Sequence, residues 1–275
     1  MGKIYRGMSE DELNAEYNLR DSVDDYDGLI DSFRQRSRET YQKQMCARDV
    51  AYGPAPRNKF DFFPCLIRNA PTVIFIHGGY WQATEKETYA FIVDGLIDKF
   101  NVILPEYTLA PEAGMTTIVE EIGTFLDFLN EQHGKYNITS GRVCLAGHSA
   151  GGHLAALYRE HPVVSHLMPL SALVDLEPIR LTTINNALDL TDEEVAMFSP
   201  VKNKVNYTVP AAIHVGDLEP SELIRHSEIY AQKMISEGNP LIYSRLKNRN
   251  HFTLLDEFDV HGVLTYSLRY LFRNI

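Results

Sequence analysis

Gly147-His148-Ser149-Ala150-Gly151 joins two unlike stretches of the chain. Before it, Arg142-Val143-Cys144-Leu145-Ala146 is a short apolar run of strand type. After it, Gly152-His153-Leu154-Ala155-Ala156-Leu157 is rich in Ala and Leu and of helix type. The five residues fit G-x-S-x-G. In that pattern a serine sits on a sharp strand-to-helix turn, and small neighbours let the two backbones pass closely. The turn exposes the hydroxyl, and the first N–H groups of the new helix have no partner inside it. Such amides can face a developing oxyanion. Ser149 therefore reads as a nucleophile, and Ala150 as one amide of an oxyanion hole.

The flanking sequence reads as alternating strands and helices. Thr72–Ile76 is a short β-branched run of buried-strand type, followed by His77-Gly78-Gly79-Tyr80-Trp81. Thr88 to Asp98 looks helical, Asn101–Pro105 is a strand, and Met115 to about His133 is a long amphipathic helix. Beyond the elbow, His166–Leu173, Ala211–Val215 and Leu241–Leu246 read as strands, Glu219–Glu237 as a helix and Phe252–Phe272 as the closing helix. Upstream, Asp49–Tyr52 and Phe60–Phe63 flank the turn-rich Gly53–Asn58 and suggest an antiparallel pair. The pattern predicts the α/β class, with a mostly parallel sheet, helices on both faces and right-handed crossovers. No composition break divides residues 1–275, so a single domain is expected. Residues 1–45 form a polar, helix-leaning N-terminal extension, and about 175–204 form a cap or lid insertion.

Composition narrows the function. The chain has 275 residues, 44% hydrophobic and 23% charged, with a formal net charge of −11. That balance argues against nucleic acid and anionic membranes as partners. No apolar run is long enough to span a bilayer, and Met1–Asp21 lacks an apolar signal core. The cysteines Cys46, Cys65 and Cys144 are odd in number and lack metal-type spacing, so a reducing, cytoplasmic setting is expected. HExxH is absent, and neither glycine pair belongs to a GxGxxG or Walker loop. No metal or cofactor is expected. The expected partner is a small-molecule acyl amide or ester substrate; homodimerisation is left open.

A nucleophilic serine needs a base and an acid to orient it. In the fold built around such an elbow the chain order is Ser, acid, His. Asp217 follows the strand Ala211–Val215 and meets the test for the acid. Glu219 is the rival, ranked second because it lies farther from the strand end. His251 follows the last strand and meets the test for the base; His226 and His261 fall within helices. His77-Gly78-Gly79-Tyr80 directly after a buried strand suggests backbone N–H groups of Gly79 and Tyr80 as the rest of the oxyanion hole, with His77 bracing the loop. Tyr80, Trp81 and His148 are the candidate substrate contacts, although Trp81 could equally be core.

With these residues in place the chain resembles the α/β-hydrolase superfamily. Within it, the chain resembles the serine-dependent kynurenine formamidase (arylformamidase) group, near the hormone-sensitive-lipase-like esterases. The motifs that carry this are His77–Trp81, Gly147–His153, Tyr107-Thr108-Leu109-Ala110-Pro111-Glu112 and the loops of Asp217 and His251. The resemblance implies metal-independent hydrolysis of N-formyl-L-kynurenine to kynurenine and formate, a tryptophan-catabolic step. A carboxylesterase acting on short acyl esters, or another small-amide hydrolase, would use the same machinery. The carboxylate of an amino-acid substrate should want a cationic partner, and Arg180, in the expected cap, is a candidate by position.

Overall fold

The apolar and β-branched runs that read as strands all join one sheet. In the computed structural model, which describes residues 2–206 and 208–273, eight strands lie in the order β1-β2-β4-β3-β5-β6-β7-β8. They are β1 (Ala47–Ala51), β2 (Lys59–Phe63), β3 (Thr72–Ile76), β4 (Asn101–Pro105), β5 (Val143–His148), β6 (His166–Leu170), β7 (Ala211–Gly216) and β8 (Leu241–Leu246). β2 runs antiparallel to both β1 and β4, and the other pairings are parallel. Every residue of β3, β4 and β5 is buried. That explains their continuous apolar character, since a strand covered on both faces has no polar side to alternate with.

The helices are α1 (Glu10–Tyr17), α2 (Tyr26–Lys43), α3 (Val93–Leu96), α4 (Met115–Glu131), α5 (Ala150–Leu157), α6 (Leu176–Arg180), α7 (Asn185–Leu188), α8 (Asp192–Met197), α9 (Ser221–Ser236) and α10 (Val263–Leu271). None of them is long and apolar enough to cross a membrane.

Several boundaries differ from the sequence reading, and three of them change a helix. The helix expected over Thr88–Asp98 is a run of 3-10 turns, Lys86–Ile92, leading into the single turn of α3. The closing helix is split: 3-10 turns at Thr253–Phe258 are followed by a loop, and α10 starts only after Gly262. The Asp259 carboxylate accepts from the amide of His261 in that loop, which favours a turn over a continuous helix. Finally, α9 starts at Ser221, with Pro220 as its N-cap, so Glu219 stays in the loop after β7. A residue before proline is pushed away from helical backbone.

The N-terminal segment is fastened to the rest of the chain. The Ser9 hydroxyl accepts from the Glu12 amide, and the Glu12 carboxylate accepts from the Ser9 amide, which is a capping box for α1. The Tyr17 hydroxyl at the far end of α1 lies 2.8 Å from His226 Nε2 and donates to Glu222 at 3.2 Å, both on α9. Asn14 Oδ1 accepts from the Thr183 amide at 2.8 Å. In α2 the Ser37 hydroxyl donates to the Thr88 carbonyl, and Phe33 packs on Phe91 with ring centroids 4.6 Å apart.

Candidate active site

Ser149 stands between β5 and α5 with φ 57° and ψ −118°, a backbone region that costs a non-glycine residue about 1–3 kcal/mol. The surroundings impose it. The Ser149 amide donates to the Leu170 carbonyl at 2.8 Å, which ties the elbow to the end of β6. At Gly151 the start of α5 crosses so close to β3 that a Cβ there would strike the carbonyl oxygens of Ile76 and His77. The steric demand inferred from the G-x-S-x-G spacing is thus met by a specific neighbour. Ala150 opens α5, leaving its amide without a helical partner.

The candidate base lies on the loop after β8. His251 is buried, and its Nδ1 lies 2.7 Å from Oε2 of Glu219. The second Glu219 oxygen, Oε1, accepts from the Ser171 hydroxyl at 2.6 Å and from the Gly216 amide at 2.7 Å. A buried carboxylate needs such donors, because an unpaired one would carry its full desolvation cost.

Asp217, the acid favoured from the sequence, does not contact His251. Its Oδ1 accepts from the Asn248 amide at 2.7 Å, and its own amide donates to the Leu246 carbonyl at 3.1 Å. Asp217 therefore stitches the loop after β7 to the loop after β8. Glu219 has moved on past a turn and has one more methylene, and it reaches the imidazole. The Glu219-Pro220 pair was the available signal: it holds Glu219 out of the helix.

His77 is clamped at both ring nitrogens. Nε2 meets the Glu106 carboxylate at 2.8 Å, and Nδ1 donates to the Gly78 carbonyl at 2.8 Å. The Tyr107 ring stacks on the imidazole with centroids 4.6 Å apart. Burial alone would push the Glu106 carboxyl up, but the charges of His77 and Arg57 and hydrogen bonds from His77 and the Tyr107 amide outweigh it. They hold it down to about 2. The next three residues, Gly79, Tyr80 and Trp81, all have positive φ, at 105°, 51° and 58°. This brings Gly79 and Tyr80 to the wall of the cavity that Ser149 and His251 line.

That cavity has a volume of about 610 Å³. Tyr80, Tyr26, Tyr89 and Phe252 supply aromatic surface, and the N-terminal segment closes one side through Asn14, Asn18 and Arg20. The Tyr80 hydroxyl donates to the Tyr17 carbonyl at 2.8 Å, so the loop bearing Gly79 is tied to α1. The sequence reading missed this use of α1 and the turn after it, because nothing local to residues 14–26 reports contact with a loop tens of residues away.

Two expected contacts fall elsewhere. Trp81 is fully buried and lies outside the cavity wall. It meets His153 edge-on at 5.0 Å, and His153 Nε2 donates to the Phe198 carbonyl at 2.7 Å, so the indole is core. Arg180 also turns away: it pairs with Glu177 at 2.9 Å and Asp192 at 3.1 Å. His148 does line the cavity, but its Nε2 donates to the His251 carbonyl at 2.8 Å. Burial and the neighbouring His251 hold His148 neutral, well below the ordinary histidine range. It serves as a prop for the loop carrying His251.

Comparison with known proteins agrees with this architecture. The family model described as BD-FAE matches residues 66–168. The chain is 29% identical to a kynurenine formamidase of Danio rerio over 95% of this chain and 96% of that protein. A crystal structure from Silicibacter sp. superposes with a TM-score of 0.85 at 22% identity, covering 94% of this chain and 99% of that one. An esterase from Mycobacterium marinum superposes with a TM-score of 0.75 at 15% identity, covering 94% and 92% of the two chains.

Proposed function

We propose that this chain, a serine hydrolase of the α/β-hydrolase superfamily, cleaves small acyl amides of aromatic amines, with N-formyl-L-kynurenine as the substrate and kynurenine and formate as the products. The observation that carries this is the cavity. Tyr26, Tyr80, Tyr89 and Phe252 line it, its volume of about 610 Å³ suits an aryl group, and Ser149 and His251 share it. The full-length similarity to a fish kynurenine formamidase supports the same substrate.

Ser149 Oγ attacks the formyl carbon while His251 Nε2 takes its proton. Glu219 holds the Nδ1 proton and stabilises the imidazolium that forms. The amides of Gly79, Tyr80 and Ala150 receive the oxyanion; losing one such donor costs about 3 kcal/mol of transition-state stabilisation. The C–N bond then breaks, His251 returns the proton to the aniline nitrogen, and a formyl ester remains on Ser149. Water, deprotonated by His251, cleaves that ester to formate and restores the serine. Three free thiols, Cys46, Cys65 and Cys144, support a reducing, cytoplasmic setting for this activity.

A short-chain carboxylesterase is the second reading, favoured by the fold shared with the M. marinum esterase. Measuring kcat/KM on N-formyl-L-kynurenine and on p-nitrophenyl acetate separates them. The formamidase reading expects the formamide to be the better substrate by at least tenfold. A formamide rate no higher than that of the Ser149→Ala variant would reject it.

A further inference from the structure

The cavity around Ser149 is almost uncharged. Among the described residues that line it, Arg20 is the sole Lys, Arg, Asp or Glu, in a chain of net charge −11. Arg20 lies in the turn between α1 and α2, and both ends of that turn are anchored, by Tyr17 on α9 and by Asp25, whose side chain caps α2. Its guanidinium lies over the Tyr26 ring, 5.1 Å from the centroid. Tyr26 meets Phe252 edge-on at 5.2 Å, and Phe252 meets the His251 ring edge-on at 5.3 Å. A continuous aromatic wall therefore runs from the base to one cation.

Deepening the reading above, on which it rests, we infer that Arg20 is a specificity-determining residue that receives a carboxylate carried by a side chain of the substrate's aromatic leaving group. An aryl ring lying along Tyr26 and Phe252, with its acyl end at Ser149, can extend a carboxylate-bearing side chain along the same wall towards Arg20. The present partner of Arg20 does not block this. Its guanidinium is 2.9 Å from Asp27, but the two side chains are 64% and 75% exposed. An exposed pair of this kind is worth under about 1 kcal/mol, so an incoming carboxylate can share or replace it. A guanidinium presents several donors to a carboxylate at once, which suits this role better than a point charge.

The test compares each acid with its own carboxamide, which removes the anion and little else. One pair is N-formyl-L-kynurenine and its carboxamide; the other is 4-acetoxyphenylacetate and its carboxamide. The wild-type enzyme should prefer each acid by about five- to tenfold in kcat/KM, mostly through KM. Arg20→Gln should bring that ratio close to one, and Arg20→Lys should keep part of it. Asp27→Asn, which removes the competing carboxylate, should raise it. A ratio unchanged by Arg20→Gln, or a wild-type ratio at or below one in both pairs, overturns the inference. The two proposals fail separately. An Arg20-dependent preference in the acetyl pair with no formamide cleavage rejects the formamidase reading and keeps Arg20's role. Formamide cleavage without an acid preference does the reverse.

Discussion

Glu219 Oε2 lies 2.7 Å from His251 Nδ1, across 32 residues of sequence, and both side chains are buried. Asp217, two residues nearer the strand, instead accepts a backbone amide. The two carboxylates therefore do different work, and substitution should separate them. Glu219→Gln leaves the imidazole without an anion to hold its tautomer and should lower kcat by about 10³–10⁴-fold. Asp217→Asn keeps an oxygen that can accept from the Asn248 amide and should cost less than about fivefold. Steady-state kinetics on one substrate decides; the reverse ranking would restore Asp217 as the acid.

Ser171 acts through Glu219. Its hydroxyl is one of two donors to the carboxylate oxygen that does not touch His251. Ser171→Ala leaves a buried carboxylate short of a donor. The expected loss is about 1–3 kcal/mol of unfolding free energy. A fall in kcat with little change in KM should accompany it, since Ser171 is fully buried and does not line the cavity. Urea denaturation and kinetics together check this, and a variant with wild-type stability and kcat would show that Ser171 is dispensable.

Trp81 is the single tryptophan and is fully buried. Its fluorescence should be blue-shifted and poorly quenched by acrylamide in the native state, shifting red on unfolding. Trp81→Ala should destabilise the fold by about 3–5 kcal/mol through the cavity it leaves. Efficient acrylamide quenching in the folded enzyme would contradict the placement.

Stability should fall with acid in two stages. Burial pushes His153, His166 and His214 down to about 4, against the ordinary value of 6.5. Between those values the unfolded chain binds more protons than the folded one, so stability is full above about pH 6.5 and declines as the pH drops towards 4. The Glu106 carboxyl, held at about 2, adds a second decline below about pH 4.5. Urea midpoints measured from pH 8 to pH 3 should trace both. Glu106→Gln should shrink the lower stage and leave the upper one. A midpoint constant from pH 8 to pH 5 would contradict the histidine stage.

Much of this protein is readable from short windows. A strand buried on both faces must be apolar throughout, so β3, β4 and β5 announce themselves within five or six residues. The Gly147–Gly151 elbow is equally local, because its glycines are demanded by backbone passing within contact distance. The candidates Ser149 and His251, and the expectation of an acid between them in the chain, come from the same windows. Choosing between Asp217 and Glu219 did not, because it depends on where a loop after β7 meets a loop after β8. Likewise, whether Trp81 faces substrate or core, and whether Arg20 or Arg180 faces the cavity, is set by the packing of α1, α2 and the 175–204 stretch around the sheet. Propensity and periodicity act between neighbours along the chain. The choice among chemically similar side chains is made by distances between residues far apart in sequence, and these exist only once the sheet has formed.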